Sequence, residues 1–89
     1  MAKAYVLMVV APGQTKHILD QLRELPKVTE CHEVHGPYDI VAEAEVGDIN
    51  DIPNIVRRIR PIVGVESTTT LLAIPEWRSE RTLSRRGMG

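Results

Sequence analysis

Residues with the types and spacing to do chemistry fall in three places along this chain. Cys31-His32-Glu33-Val34-His35, with His17 further back, has the composition of a metal site. On an extended segment, though, Cys31 and His32 point to opposite faces, and a structural zinc site needs four converging ligands. Surface histidines are the better reading, and no metal or other cofactor is expected. The same opposition removes cysteine and histidine as a nucleophile–base pair, which also lacks a third, orienting group. Glu43 and Glu45 sit two apart and share one strand face, as an acid–base pair would. With no histidine, lysine or metal cluster accompanying them, they are expected to be solvated or neutralised across an interface. The third place is His35-Gly36-Pro37-Tyr38-Asp39, taken with Ser67-Thr68-Thr69-Thr70. Gly36 permits a tight turn whose backbone N–H groups can face a carboxylate. Asp39 offers a negative charge suited to an ammonium group, and the threonine hydroxyls both donate and accept. Together they suit a zwitterion such as a free amino acid. On spacing alone, ordinary turn and strand chemistry explains the same residues.

The elements that position these groups follow from hydrophobic period. Residues 4–11, AYVLMVVA, are apolar at both parities and closed by Pro12-Gly13, which reads as a strand covered on both faces. Residues 15–25 carry Ile18, Leu19, Leu22 and Leu25 at helical spacing, with Thr15 as the expected N-cap and Pro26 as the stop. Residues 28–34 make a polar strand of edge type. Residues 39–46 alternate, with Ile40, Ala42, Ala44 and Val46 on one face. Asp48 to Arg60 reads as a second helix, capped by Asn50 or Asp51, with Pro53 in its first turn and arginines near its end. Residues 65–74 form the last strand.

This β-α-β-β-α-β order is the split-βαβ, ferredoxin-like α+β sandwich, a four-stranded antiparallel sheet with two helices on one face. The first and third strands are expected at the centre, parallel to each other, with the second and fourth at the edges. One sheet face is then bare. Tyr5, Leu7, Val9 and Ala11, or the opposite set, would present apolar surface to water, which monomers rarely do. Two-fold sheet-to-sheet homodimerisation is the favoured cover, with a C-terminal tail folded back through Trp77 as the alternative.

Composition narrows the class. Eighty-nine residues make one domain, with an aliphatic core because there is no Phe, one Trp and two Tyr. Residues 1–75, the expected sensing and oligomerisation domain, hold seven basic and ten acidic side chains. That acidic body argues against direct DNA binding, which needs Lys and Arg against phosphate. The tail 76–89 holds four arginines and two glutamates and is given no function. A single cysteine and an N-terminal apolar run too short to span a bilayer point to a cytoplasmic protein with no membrane partner.

The stretch VTECHEVHGPYDIVA, residues 28–42, followed by Gly64-Val65-Glu66-Ser67-Thr68-Thr69-Thr70, resembles the C-terminal effector domain of the Lrp/AsnC feast/famine transcription regulators, also called the RAM domain. The resemblance covers roughly residues 4–74. It implies dimers that join through their sheets, assemblies up to tetramers or octamers, and amino-acid effectors bound where dimers meet. On this chain it would place Gly36, Tyr38 and Asp39 against the ligand, and Thr68, Thr69 and Thr70 at or near the same interface. Members begin with a helix-turn-helix domain, whereas this chain opens at the first strand. It therefore resembles a stand-alone module, a sensor or a partner for a full-length regulator. Two other classes compete: a small dimeric cofactor-free oxygenase or isomerase on the same fold, disfavoured by the lack of aromatics and of an acid–base set, and a purely structural oligomerisation unit.

Overall fold

The computed structural model describes residues 2–74. In chain order the elements are β1 (Ala2–Val10), α1 (Thr15–Leu22), β2 (Val28–Glu33), β3 (Ile40–Val46), a single 3-10 turn (Ile49–Asp51), α2 (Ile52–Ile59) and β4 (Val65–Leu72). The four strands form one sheet in the order β2-β3-β1-β4, so β1 and β3 are central and β2 and β4 are edges. Every neighbouring pair is antiparallel. The expectation of parallel central strands is therefore wrong. Each helical crossover returns the chain to the end it started from, so β1 and β2 run the same way. The reversal at the β2–β3 connection then inserts β3 between them in the opposite sense.

Both parities of β1 are apolar, so only helix packing decides which set faces the core. The even set does: Ala4, Val6, Met8 and Val10 are buried, with Ile40, Ala42, Ala44 and Val46 of β3 beside them. Ile18 and Leu22 of α1 and Ile55 and Ile59 of α2 close this layer from above. Fully burying an aliphatic side chain of that size contributes roughly 1.5–3 kcal/mol, and Met8, Ile18, Leu22, Ile40 and Ile59 are all essentially inaccessible. The odd set, Tyr5, Leu7 and Val9, lies half-buried on the opposite face.

The helices are shorter than their apolar periods suggest. Helix α1 ends at Leu22 because the chain tightens: the Glu24 and Leu25 N–H groups donate to the carbonyls of Gln21 and Leu22, three residues back, ahead of Pro26. Its N-cap position is held by Gln14 rather than Thr15, without a side-chain cap. The expected second helix begins as the 3-10 turn, and its side-chain cap is Asp48, which accepts from the Asn50 N–H at 2.9 Å. Neither Asn50 nor Asp51 serves. Pro53 occupies the first turn of α2, where a missing N–H costs little. The reading of Trp77 as a lid and the arginine-rich tail lie outside the described residues.

Candidate functional site

The Gly36–Asp39 turn sits at the end of the sheet where β1 finishes and β3 and β4 begin. Its geometry is fixed mainly by Asp39. The Asp39 N–H donates to the Met8 carbonyl at 2.8 Å, and the Asp39 carbonyl accepts from the Val34 N–H at 2.9 Å. These two bonds tie the residue to β1 and to the end of β2. The side chain adds a third: Asp39 Oδ2 accepts from the Val10 N–H at 2.9 Å. The β1–β3 backbone ladder has its last pair at Met8 and Ile40, so the Val10 N–H would be left without a partner on the β3 side. The carboxylate takes the place of the missing carbonyl. Among the described residues, the other oxygen, Oδ1, accepts no hydrogen bond.

Tyr38 reaches in the other direction. Its hydroxyl donates to Thr69 Oγ1 at 3.4 Å. Thr69 stands opposite Leu7 on the open face of the sheet, and β1 lies between β3 and β4. The tyrosine side chain therefore crosses β1 near Leu7 and Val9. Gly36 adopts φ +129°, a conformation other residues rarely take, and a Cβ there would meet nothing within 4 Å. The glycine is needed by the backbone, and the space beside it is open.

The threonine run does not act as one group. Thr68 and Thr70 pair with Met8 and Val6, placing them on the helix side of the sheet, whereas Thr69 alone shares the open face with Tyr38. Thr68 lines a separate hollow of about 340 Å³ with Arg60, Val65, Glu66 and Ser67. Of the six residues expected at the site, the structure gathers Gly36, Tyr38, Asp39 and Thr69 at one end of the sheet. Thr68 and Thr70 point away because side chains alternate along a strand.

The other candidates resolve into ordinary structure. Cys31 turns toward α1, its thiol 4.0 Å from the Leu19 carbonyl, while His32 faces away and contacts Glu30 at 3.0 Å. Among the described residues no group of three or more His, Cys, Asp or Glu side chains is arranged to hold a metal. Glu43 and Glu45 do have a lysine, contrary to expectation: Lys3 Nζ lies 3.3 Å from Glu43 and 3.8 Å from Glu45 on the open face. The hydrogen bond to Glu43, followed by the charge of that carboxylate, holds the Lys3 ammonium above its usual range. These two carboxylates share one ammonium group within the chain, from a residue some forty positions back, a partner that only the β1–β3 register could reveal. Sequence reasoning also missed the role of Gly64. Its carbonyl accepts from the Ala11 N–H at 2.8 Å, and its φ is +102°. A Cβ there would lie 2.6 Å from Gln14 Cβ and 3.1 Å from Ile18 Cδ1. Only the closing Gly-Val before the threonines signalled this position.

No helix among the described residues is long and apolar enough to cross a membrane. The open face instead divides into a charged end, Lys3 with Glu43 and Glu45, and an apolar strip of Tyr5, Leu7, Val9, Val41 and Leu71. The strip runs up to Tyr38, so whatever covers it also shelters the turn.

Comparison with known proteins agrees with this architecture. A 60-residue segment is 37% identical to homocitrate synthase of Sulfurisphaera tokodaii, covering 67% of this chain but 13% of that protein. So short a share carries none of the synthase's activity across. The HTH-type transcriptional regulator FL11 of Pyrococcus horikoshii is 28% identical over 71 residues, 80% of this chain and 47% of the regulator. The chain thus spans about half the length of that curated regulator. Among solved structures, TTHA0845 from Thermus thermophilus superposes with a TM-score of 0.82 at 32% identity, covering 89% of this chain and 100% of the other. A feast or famine regulatory protein (Rv3291c) from M. tuberculosis complexed with L-methionine has the same fold, with a TM-score of 0.74 at 22% identity, over 91% of this chain and 55% of that one. The family model described as the Lrp/AsnC ligand binding domain matches residues 3–83. It extends past residue 74, where the resemblance read from sequence ended, into the tail. With a family match over most of its length and the ferredoxin-like sheet its relatives share, the chain belongs to the Lrp/AsnC ligand binding domain family.

Proposed function

We propose that this domain is an amino-acid-responsive regulatory module whose ligand sits beside the Gly36–Asp39 turn once a second copy covers the open sheet face. Asp39 Oδ1 takes the ligand's ammonium group, and the N–H groups of the turn take its carboxylate. Tyr38 and Thr69 flank the side chain. The observation that carries this reading is Asp39 itself. Its Oδ2 accepts from the Val10 N–H at 2.9 Å, which orients the carboxylate and leaves its second oxygen for the ligand. A preoriented carboxylate loses little freedom on binding, which favours affinity. Family membership and the methionine complex of the M. tuberculosis relative support the ligand class. The apolar strip left on the open face supports a dimer, from which a tetramer or octamer can be built. Co-assembly with a full-length regulator of the same family would pass the signal to DNA without this domain touching it.

Thermal melts in the presence of each of the twenty amino acids test the reading. A true ligand raises the melting temperature with concentration, contributing about 2.7 kcal/mol at one hundred times its Kd. Asp39→Asn separates binding from structure. The carboxamide oxygen still accepts from Val10, so the unliganded Tm stays near wild type, while the response to the amino acid disappears. Asp39→Ala is the less informative variant, because an orphaned buried N–H costs about 1–3 kcal/mol by itself. A flat response to all twenty, or an Asp39→Asn variant that responds like wild type, contradicts the proposal.

A further inference from the structure

The ligand turn is wired to a second place in the fold. The chain of contacts runs from Asp39 Oδ2 to the Val10 N–H at 2.9 Å, then one peptide on from the Ala11 N–H to the Gly64 carbonyl at 2.8 Å. Gly64 in turn lies against Gln14 and Ile18, with no room even for a methyl group. Gln14 is the N-cap position of α1 and Ile18 is among its fully buried residues. At the same point the β1–β4 register shifts, between Val9 and Val10. The extra residue is Glu66 of β4, between Ser67 opposite Val9 and Val65 opposite Val10. With the ladder disrupted there, the end of β1 is held by individual hydrogen bonds, from Val10 to the Asp39 carboxylate on the β3 side and from Ala11 to the Gly64 carbonyl on the β4 side.

We infer that Asp39 is a positioning residue as well as a ligand contact, and that its shared carboxylate ties ligand occupancy to the β1–β4–α1 junction at Gly64. The inference rests on the ligand site proposed above. Without ligand, the carboxylate can rotate away from Val10 and release the bulge. With an ammonium group on Oδ1, releasing Val10 also requires breaking a charge-assisted bond. The bulge therefore opens less often when the site is filled, and β4 and the start of α1 are held with it. Binding at an open-face turn thus reaches the helix layer on the opposite side of the sheet through two hydrogen bonds and one packed glycine.

Amide hydrogen exchange on the full chain, followed residue by residue by NMR, tests this. The probe is an equimolar mixture of the twenty amino acids, followed by whichever of them raises the Tm. Binding slows exchange through global unfolding equally everywhere, so the α2 amide of Ile59 serves as the global reference. Without ligand, Val10 and Ala11 are expected to exchange faster than Ile59, through local opening. With ligand they are expected to slow by as much as Ile59, the largest slowing that binding can give, and the Gln14 and Gly64 resonances are expected to shift. If an amino acid raises the Tm while Val10 and Ala11 slow less than Ile59, or if they exchange no faster than Ile59 without it, the coupling is wrong and the proposed site stands. If no amino acid raises the Tm, the site is wrong and the coupling falls with it.

Discussion

Replacing Gly64 with alanine is expected to destabilise the domain by about 2–4 kcal/mol, the sum of backbone strain and overpacking. Two causes act together at this residue. Its φ of +102° is one that L side chains rarely adopt, and the new Cβ would meet Gln14 Cβ at 2.6 Å and Gln14 Cγ at 2.8 Å. The first of those atoms is fixed to the helix backbone and cannot swing aside as the tip of a long side chain could. For a domain of this length the loss corresponds to a fall in Tm on the order of 10–30 °C. Gly13 supplies the control. It also has a positive φ, +83°, yet nothing lies within 4 Å of a Cβ built there. Gly13→Ala is therefore expected to cost on the order of 1–2 kcal/mol, from conformation alone. Urea denaturation of both variants measures the difference. Equal losses would mean that the Gly64–Gln14 contact yields freely and that the α1 junction is not tightly packed.

Leu7→Glu is expected to separate folding from association. Leu7 faces away from the core, opposite Val41 and Thr69, in the middle of the apolar strip. A carboxylate there is solvated in the single chain, so far-ultraviolet circular dichroism and the core should be preserved. In a two-fold sheet-to-sheet dimer the substitution enters from both sides. Burying an unpaired carboxylate costs several kcal/mol, and each 1.4 kcal/mol is about tenfold in Kd. Dimerisation should weaken on the order of a thousandfold or more, leaving a folded monomer by sedimentation. A variant that associates like wild type would place the dimer contact elsewhere than the open face.

Much of this architecture is legible in the sequence because its signals are periodic. The alternation at Ile40, Ala42, Ala44 and Val46, and the helical stripes of Ile18 with Leu22 and Ile55 with Ile59, name core residues that are found buried. The first strand is ambiguous for a physical reason: both its parities are apolar, and only the position of the helices chooses between them. Strand direction is not stated by element order alone, although counting the reversals along the chain supplies it. The division of the threonine run is also available from the two-residue strand period, since Thr69 cannot share a face with Thr68 and Thr70.

The rest depends on register and on backbone groups, which residue types do not announce. Lys3 pairs with both Glu43 and Glu45 only because β1 and β3 align Lys3 with Glu45 and Tyr5 with Glu43. Asp39 reads as a ligand for an ammonium group. Its second role, replacing a strand carbonyl at Val10, arises because the β1–β3 ladder ends at Met8 and Ile40, a register that no side chain encodes. Gly36 is legible as a turn glycine. Gly64 stands out as part of a closing motif, while the reason for it, the approach of α1, is a tertiary contact.

A lone copy of this domain leaves one side of its sheet half wet, and the Gly36–Asp39 turn stands at the rim of that side. Native mass spectrometry of the full chain, with and without the amino-acid mixture, weighs this most directly because it reads copy number and bound mass together. Even-numbered assemblies that gain the mass of an amino acid, about one per chain or per pair of chains, are the predicted result. A single-copy species that persists at high protein concentration and takes up no amino acid would contradict it.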